Sequence, residues 1–416
     1  MFALSARHVL PIDAPPLRDA SVIVDGDRIV DVVPGVKSAD ATFLNDAVIL
    51  PGLVNAHTHL EFSDLTAPLG TACGRFSDWV AEVIHWRRSR DTDPISAANW
   101  RTAAIQRGLA ESVRSGVTTV GDIATAPFSA AGYAATSGLV VAFAECLGLT
   151  RWRAEGQEAV VRQHLGDKRL ARPDVVWGVS PHATYTVRRD LLDRLCAWSA
   201  AERLPLAMHV AESREELQLL DAGTGPLREL LGELNAWDAT AIKAGTGPSD
   251  YLQQLALAHR AIVIHGNYLT SDDVEFLAQR RDRMAVVFCP RTHQYGGHGT
   301  YPLWQMLAAG VTLALGTDSR ATSANLDLFE DMRLVARQFE YISPETIVRL
   351  ATMGGASALG CADRVGSLSA GKRADLVVVR LSESGGGDPY AFLRDPRCHV
   401  QQVYQAGQLV FTSGSC

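Results

Sequence analysis

Two histidines one residue apart, His57 and His59, follow an apolar run from Val48 to Val54. Side chains of an extended chain alternate faces, so both imidazoles point the same way and can grip one metal ion. Other residues able to hold a metal or move a proton recur downstream, each just after a short apolar segment. They are Asp122, Glu145, His182, His209 with Glu212 three residues on, His265 in His265-Gly266-Asn267, Arg291 and His293 in Pro290-Arg291-Thr292-His293, and Asp318 in Gly316-Thr317-Asp318.

His57, His59, His209 and Asp318 supply three imidazoles and one carboxylate. That set suits one Zn²⁺ per chain, with Fe²⁺ or another divalent first-row metal as the alternative. Water in an open coordination position loses several pKa units and becomes a nucleophile near neutral pH. Glu212, beside that water, would take its proton and pass it to a leaving group. The competing role for Glu212 is a helix-dipole carboxylate, since Ser213-Arg214-Glu215-Glu216 starts a helix. Glu215 and Glu216 are expected on that helix's solvated face. His265 would stabilise charge at the reacting centre, or pack as a core histidine.

The elements that must position these residues alternate strand and helix. Eight apolar, β-branched segments qualify as strands: Val48–Val54, Thr118–Ile123, Leu139–Leu147, Val175–Val179, Pro205–His209, Ala261–His265, Met284–Cys289 and Val311–Leu315. Helical patterns lie between most of them, among them Ala97 to Ser115, Asp190 to Glu202 and Arg214 to Leu220, and others opening at Ser271 and at Ser343-Pro344. The alternation predicts a (β/α)₈ TIM-like barrel or a doubly wound sheet. A barrel requires its chemistry at the C-terminal ends of the strands, which is where the residues above fall. His85, His164 and His259 lie in or beside helices and are expected to be solvated or in the core.

Both termini are β-rich. Ser21–Val24, Asp25-Gly26 and Arg28–Val33 read as a hairpin; Ala374–Val379, His399–Tyr404 and Gln408–Phe411 read as strands, with Gly385-Gly386-Gly387 as a loop. The expected organisation is a small β-sandwich domain from residues 1–50 and 363–416 around a hydrolase barrel at 51–362.

With 416 residues, 47 % hydrophobic and 20 % charged, the chain suits a globular protein with a large core. The net charge of −7 and the lack of a basic block argue against a nucleic-acid partner. The N-terminus carries no signal-peptide pattern, and no apolar run is long enough to span a membrane. The cysteines at 73, 146, 196, 289, 361, 398 and 416 form no CxxC pair and suit reduced thiols in the cytoplasm.

Taken together, these motifs resemble the amidohydrolase superfamily, and within it the metal-dependent deaminase branch with triazine chlorohydrolase relatives. Pro51-Gly52-Leu53-Val54-Asn55-Ala56-His57-Thr58-His59 resembles the opening motif. Ser180-Pro181-His182-Ala183-Thr184-Tyr185-Thr186, His209-Val210-Ala211-Glu212-Ser213, Ile264-His265-Gly266-Asn267 and Gly316-Thr317-Asp318-Ser319 resemble later ones, and Gly366 to Leu376 resembles the return to the small domain. The resemblance implies one metal on His57, His59, His209 and Asp318, with Glu212 and His265 at the reacting centre. No lysine lies between Val175 and Pro181 to bridge a second ion. His182 is similar to the family's substrate-contacting histidine; a backbone-bonding structural role is the alternative. The resemblance also implies a homodimer or larger homo-oligomer.

Specificity is expected from less typical positions. Arg291 or His293 would hold a substrate carboxylate or carbonyl, or else order their loop. Arg151 and Arg153 are similar in placement to arginines contacting ribose or carboxylate groups in nucleoside deaminases; a solvated loop is the alternative. The insertion Thr66 to Asp93 carries Arg75, Phe76, Trp79 and Trp86, and would cap the site and stack on a flat ring; ordinary helix packing is the alternative for Trp86. The leading reading is hydrolytic deamination of a small aromatic amine: a purine, pyrimidine, pterin or nucleoside. Chloride displacement from a triazine, or cyclic-amide opening, would use the same centre. A non-catalytic metal-binding barrel would lack a ligand or base, and none is absent.

Overall fold

The computed structural model describes residues 1–35, 43–91, 93–128, 130–167, 172–382 and 387–414; Gly385, Gly386 and Cys416 lie outside them. The chain opens with strands β1 (Phe2–Val9), β2 (Leu17–Asp25), β3 (Arg28–Pro34) and β4 (Phe43–Pro51). Eight parallel strands follow: β5 (Leu53–Thr58), β6 (Val117–Ala124), β7 (Leu139–Cys146), β8 (Val175–Pro181), β9 (Pro205–Val210), β10 (Arg260–His265), β11 (Met284–Phe288) and β12 (Thr312–Leu315). The chain then ends in β13 (Leu376–Arg380), β14 (His399–Gln405) and β15 (Gln408–Thr412).

Strands β5 to β12 pair in sequence order into an eight-stranded barrel sheet. The circle closes between its first and last strands through a bridge from Thr58 to Asp318, where the Asp318 N–H donates to the His57 carbonyl at 3.1 Å. Alternation along a strand buried on both faces builds two apolar layers. On β7, Val141 and Phe143 belong to one layer, and Val140, Ala142 and Ala144 to the other.

The termini form one seven-stranded sheet in the order β15-β14-β13-β4-β1-β2-β3. It curls so that the Ile29 N–H on β3 donates to the Lys372 carbonyl just before β13, at 2.9 Å. The fold encloses Leu4, Val22, Ile29, Ile49, Leu376 and Val378.

The apolar run Val48–Val54 is not a single strand. Residues up to Pro51 complete β4 of the terminal sheet, and Leu53 begins β5 of the barrel. Both sheets bury their strands, so hydrophobicity alone carries no sign of the break. Gly52 makes it: a Cβ there would stand 2.0 Å from Thr118 Oγ1, so only glycine allows this approach. The shift places His57 inside the barrel strand and His59 just past it.

Helices connect the barrel strands. The first crossover carries α1 (Phe76–Arg90) and α2 (Pro94–Arg114); α3 (Arg151–Leu165), α4 (Arg189–Glu202) and α5 (Arg214–Ala222) follow β7, β8 and β9. Among the described residues, no helix is long and apolar enough to cross a membrane.

Candidate active site

The C-terminal ends of the barrel strands converge on one buried cluster. His59 Nε2 and His209 Nε2 stand 3.3 Å apart. Asp318 Oδ1 lies 3.6 Å from His57 Nε2 and 3.7 Å from His59 Nε2. His265 Nε2 lies 3.3 Å from Glu212 Oε1 and 4.0 Å from Asp318 Oδ2. Donor atoms of His57, His59 and His209 lie within 4.8 Å of one another, as do those of His57, His265 and Asp318.

Hydrogen bonds from neighbouring residues fix this geometry. Asn55 on β5 donates to Thr317 Oγ1 at 2.8 Å and accepts from the Thr317 N–H at 3.0 Å, tying the paired histidines to the Asp318 segment. His209 Nδ1 lies 2.7 Å from the His182 carbonyl, which can only accept. That bond sets the tautomer and leaves Nε2 for a metal. Ala211, His265 and Asp318 hold φ of +56°, +69° and +56°. Each left-handed non-glycine residue costs roughly 1–2 kcal/mol. That strain is concentrated at three strand exits around one point.

A sequence profile described as the amidohydrolase family matches residues 48–410. The chain belongs to the amidohydrolase family. An aminodeoxyfutalosine deaminase of Deinococcus radiodurans is 34 % identical over 76 % of this chain and 74 % of its own length. A 5-methylthioadenosine/S-adenosylhomocysteine deaminase of Moorella thermoacetica is 28 % identical over 90 % of this chain and 84 % of its own. The crystal structure of a zinc-bound adenosine deaminase from Xanthomonas campestris superposes with a TM-score of 0.79 at 26 % identity, covering 99 % of this chain and 93 % of that one.

The electrostatics of this amidohydrolase suit a divalent cation. Burial drives the His59, His209 and His265 imidazoles well below their ordinary pKa, so they stay neutral with lone pairs available. Burial opposes charge on Asp318, but the His57 imidazole 3.6 Å away, with His59 and His265, outweighs it and holds the carboxyl ionised. His57 Nε2 is buried with no hydrogen-bond partner, an orphan that a metal bond would satisfy. Three imidazoles and a carboxylate around one point therefore fit a metal. Burial, then the Asp318 and Glu216 charges, push Glu212 well above the usual carboxyl range.

One cavity reaches the cluster at Glu212, and a second is lined by Glu145, which stands 3.9 Å from His182. A cleft of about 40 Å³ is lined by Phe76, Trp79, Glu212, Tyr295 and His298. Trp79 donates from Nε1 to the Ala321 carbonyl at 3.3 Å, which fixes the half-buried ring there. The second cavity, of about 310 Å³, is lined by Arg87, Arg101, Thr125, Glu145, Arg153 and Thr186. A larger groove of about 760 Å³ runs between helices Ser271–Ala278 and Leu303–Ala309 and touches none of the strand-exit residues.

The expected substrate contacts divide. The His182 ring stands 5.1 Å from that of His209, and burial, then Arg87 and His57, push it down to about 3. Arg153 lines the second cavity, whereas Arg151 is exposed at the start of α3 and lines neither. Arg291 does not face the centre: its guanidinium binds Asp331 at 2.8 and 3.0 Å, Asn325, and the Asp327 carbonyl. His293 is buried among Phe288, Tyr301 and His298 rings and lines neither cavity. Arg291 thereby ties its segment to the later one that carries Asn325, Asp327 and Asp331.

Glu215 and Glu216 are not on a solvated face. Glu216 is fully buried; it accepts from the N–H groups of Ala211 and Glu212 and from the Thr184 hydroxyl at 2.6–2.9 Å. Glu215 accepts from the Phe76 and Ser77 N–H groups at 3.1 and 3.0 Å, seating the start of α1 over the barrel mouth. Another buried carboxylate, Glu61, follows two residues after His59. Glu61 holds Arg87 through Nε at 3.0 Å, Arg101 at 3.3 Å and the Thr125 hydroxyl at 2.7 Å. The Ser213-x-x-Glu216 capping box could have revealed Glu216. For Glu61 the only signal is a charge set between Leu60 and Phe62.

Proposed function

We propose that this amidohydrolase is a metal-dependent deaminase of a purine-nucleoside-type amine, releasing ammonia. The observation that carries the reading is the 3.3 Å approach of Glu212 to His265, beside the converging His57, His59, His209 and Asp318. The named activities of the D. radiodurans, M. thermoacetica and X. campestris relatives support it.

His57, His59, His209 and Asp318 would hold the ion, and Zn²⁺ suits three imidazoles and one carboxylate. When bound, such an ion polarises the reacting groups and makes water nucleophilic near neutral pH. Glu212 moves the protons. Its raised affinity lets the carboxyl take a proton at one moment and give it up at the next. It protonates a ring nitrogen, which opens the adjacent amidine carbon to the oxygen of a water molecule; it then takes the proton that water releases and delivers it to the amine as the C–N bond breaks. His265, neutral and within reach of both Glu212 and Asp318, steadies charge as it develops between them. Trp79 and Phe76 exclude water and offer an aromatic wall to a flat ring. The described cysteines are free thiols, which suits a cytoplasmic enzyme.

The test is ammonia release by the zinc-loaded protein across aminopurines, purine nucleosides, aminopyrimidines, pterins and chlorotriazines. Ammonia from nucleosides supports the reading. Chloride release without ammonia would move the assignment to halide displacement at the same centre.

A further inference from the structure

His298 lines the cleft that reaches Glu212, together with Phe76, Trp79 and Gly296. Its half-buried ring is fixed from two sides. Nε2 stands against Gly296, where a Cβ would come within 2.4 Å of it, so a side chain at 296 would displace the ring. Nδ1 lies 2.9 Å from the Tyr268 hydroxyl. Tyr268 is tied in turn to the segment that carries Glu212. Its N–H donates to the Ala211 carbonyl at 3.2 Å, and the Asn267 side chain donates to the Glu212 carbonyl at 2.9 Å. The Arg214 guanidinium covers the Tyr268 ring, 4.9 Å from its centroid. His298 and Glu212 are therefore held in one frame.

The bond to Tyr268 decides what Nε2 can do. A phenol O–H is a far stronger acid than a neutral imidazole N–H, so Tyr268 donates and Nδ1 accepts. Nε2 then carries the hydrogen. Burial, then the nearby Arg214, push His298 down to about 4, so the ring stays neutral. Among the described residues its ring makes one hydrogen bond, to Tyr268, which leaves the Nε2 hydrogen for a ligand. A neutral donor in a cleft walled by Phe76 and Trp79 suits an acceptor on the rim of a flat ring. An N–H or ammonium in that place would set donor against donor. Glu212 uses the ring nitrogen beside the reacting carbon, and a purine carries further unprotonated ring nitrogens.

We propose that His298 is a specificity-determining residue whose Nε2 hydrogen is donated to a second ring nitrogen of the substrate, one that Glu212 does not protonate. It selects against rings that carry C–H there. This rests on the deaminase reading, which puts the reacting amine at Glu212.

The experiment measures kcat/KM for ammonia release by the full-length, zinc-loaded protein from adenosine, 7-deazaadenosine and 3-deazaadenosine. Wild type is expected to prefer adenosine over one of the two analogues by about tenfold or more. His298→Ala should shrink that same ratio by about tenfold with metal content unchanged; the analogue's intrinsic reactivity is common to both proteins and cancels. His298→Phe, which keeps a ring without a donor, should shrink it equally and guards against an Ala variant that fails to fold. Tyr268→Phe, which frees the tautomer, should shrink it in part. A ratio unchanged for both analogues in His298→Ala or His298→Phe, or unchanged in Tyr268→Phe, would overturn the assignment while leaving the deaminase reading intact. Ammonia from pterins or pyrimidines and from no purine would likewise overturn the assignment alone. No ammonia from any amine would overturn both.

Discussion

Glu216 accepts the backbone N–H of Glu212 at 2.6 Å, so one buried carboxylate holds the turn that aims another. The same side chain binds the N–H of Ala211, whose φ of +56° the chain would not adopt unaided. Glu216→Ala removes the acceptor from buried donors and should destabilise the fold by roughly 2–4 kcal/mol. It should also cut kcat by about tenfold or more through misplacement of Glu212. Thermal melts and ammonia release test both, and Glu216→Gln should recover part of each loss. Unchanged turnover in a folded Ala variant would remove Glu216 from the positioning role.

Metal removal should cost stability as well as activity. The buried His57 Nε2 has no partner within the protein. A ligand that binds only the folded state raises its stability by mass action, so chelation should lower Tm by at least about 3 °C. Zinc at one equivalent per chain should restore both Tm and turnover. A Tm indifferent to chelator would contradict a metal at this cluster.

Asp122 gives stability a pH dependence of predictable sign. Burial pushes its carboxyl from 3.8 up to about 7, against the opposing bonds from Leu60 N–H, Tyr133 and Thr58. The native state therefore binds more protons than the unfolded chain between these values. Stability contributed by this group is highest in acid and falls as pH rises from about 4 to 7, by roughly 4 kcal/mol at most. Glu145, also raised to about 7, adds in the same sense. Asp122→Asn should flatten the slope of unfolding free energy against pH across that window. A slope unchanged in Asp122→Asn would show that Asp122 is ionised in the native state throughout.

The Glu61 cluster should be the most damaging to break outside the metal centre. Arg101 is 3 % exposed and shares Glu61 with Arg87. Glu61→Ala would leave these charges uncompensated at about 3–5 kcal/mol. Chemical denaturation measures the loss, and a change under about 1 kcal/mol would show that Asp91 alone neutralises Arg101.

The barrel and its metal cluster were legible because both leave local marks. Strands buried on two faces read as continuous apolar runs, and the barrel places their exits on one rim, where His57, His209, His265 and Asp318 stand. The same property hid the break at Gly52, since a run buried in two successive sheets looks like one strand. Long-range pairing hid the rest. Nothing near Arg291 says that Asp331, on a later helix, neutralises it. Nothing near Glu61 points to Arg87 and Arg101, and Arg87 reaches it only because α1 folds back over the barrel mouth.

The central claim is that Glu212 carries protons in a hydrolytic deamination at this metal cluster. The most direct measurement pairs metal content with nucleoside ammonia release for the wild type and Glu212→Gln. Gln keeps the shape and removes the titrating oxygen, so the variant should retain about one metal per chain. Its turnover should fall by about 100-fold or more. A Glu212→Gln protein with normal metal content and wild-type ammonia release would contradict the account.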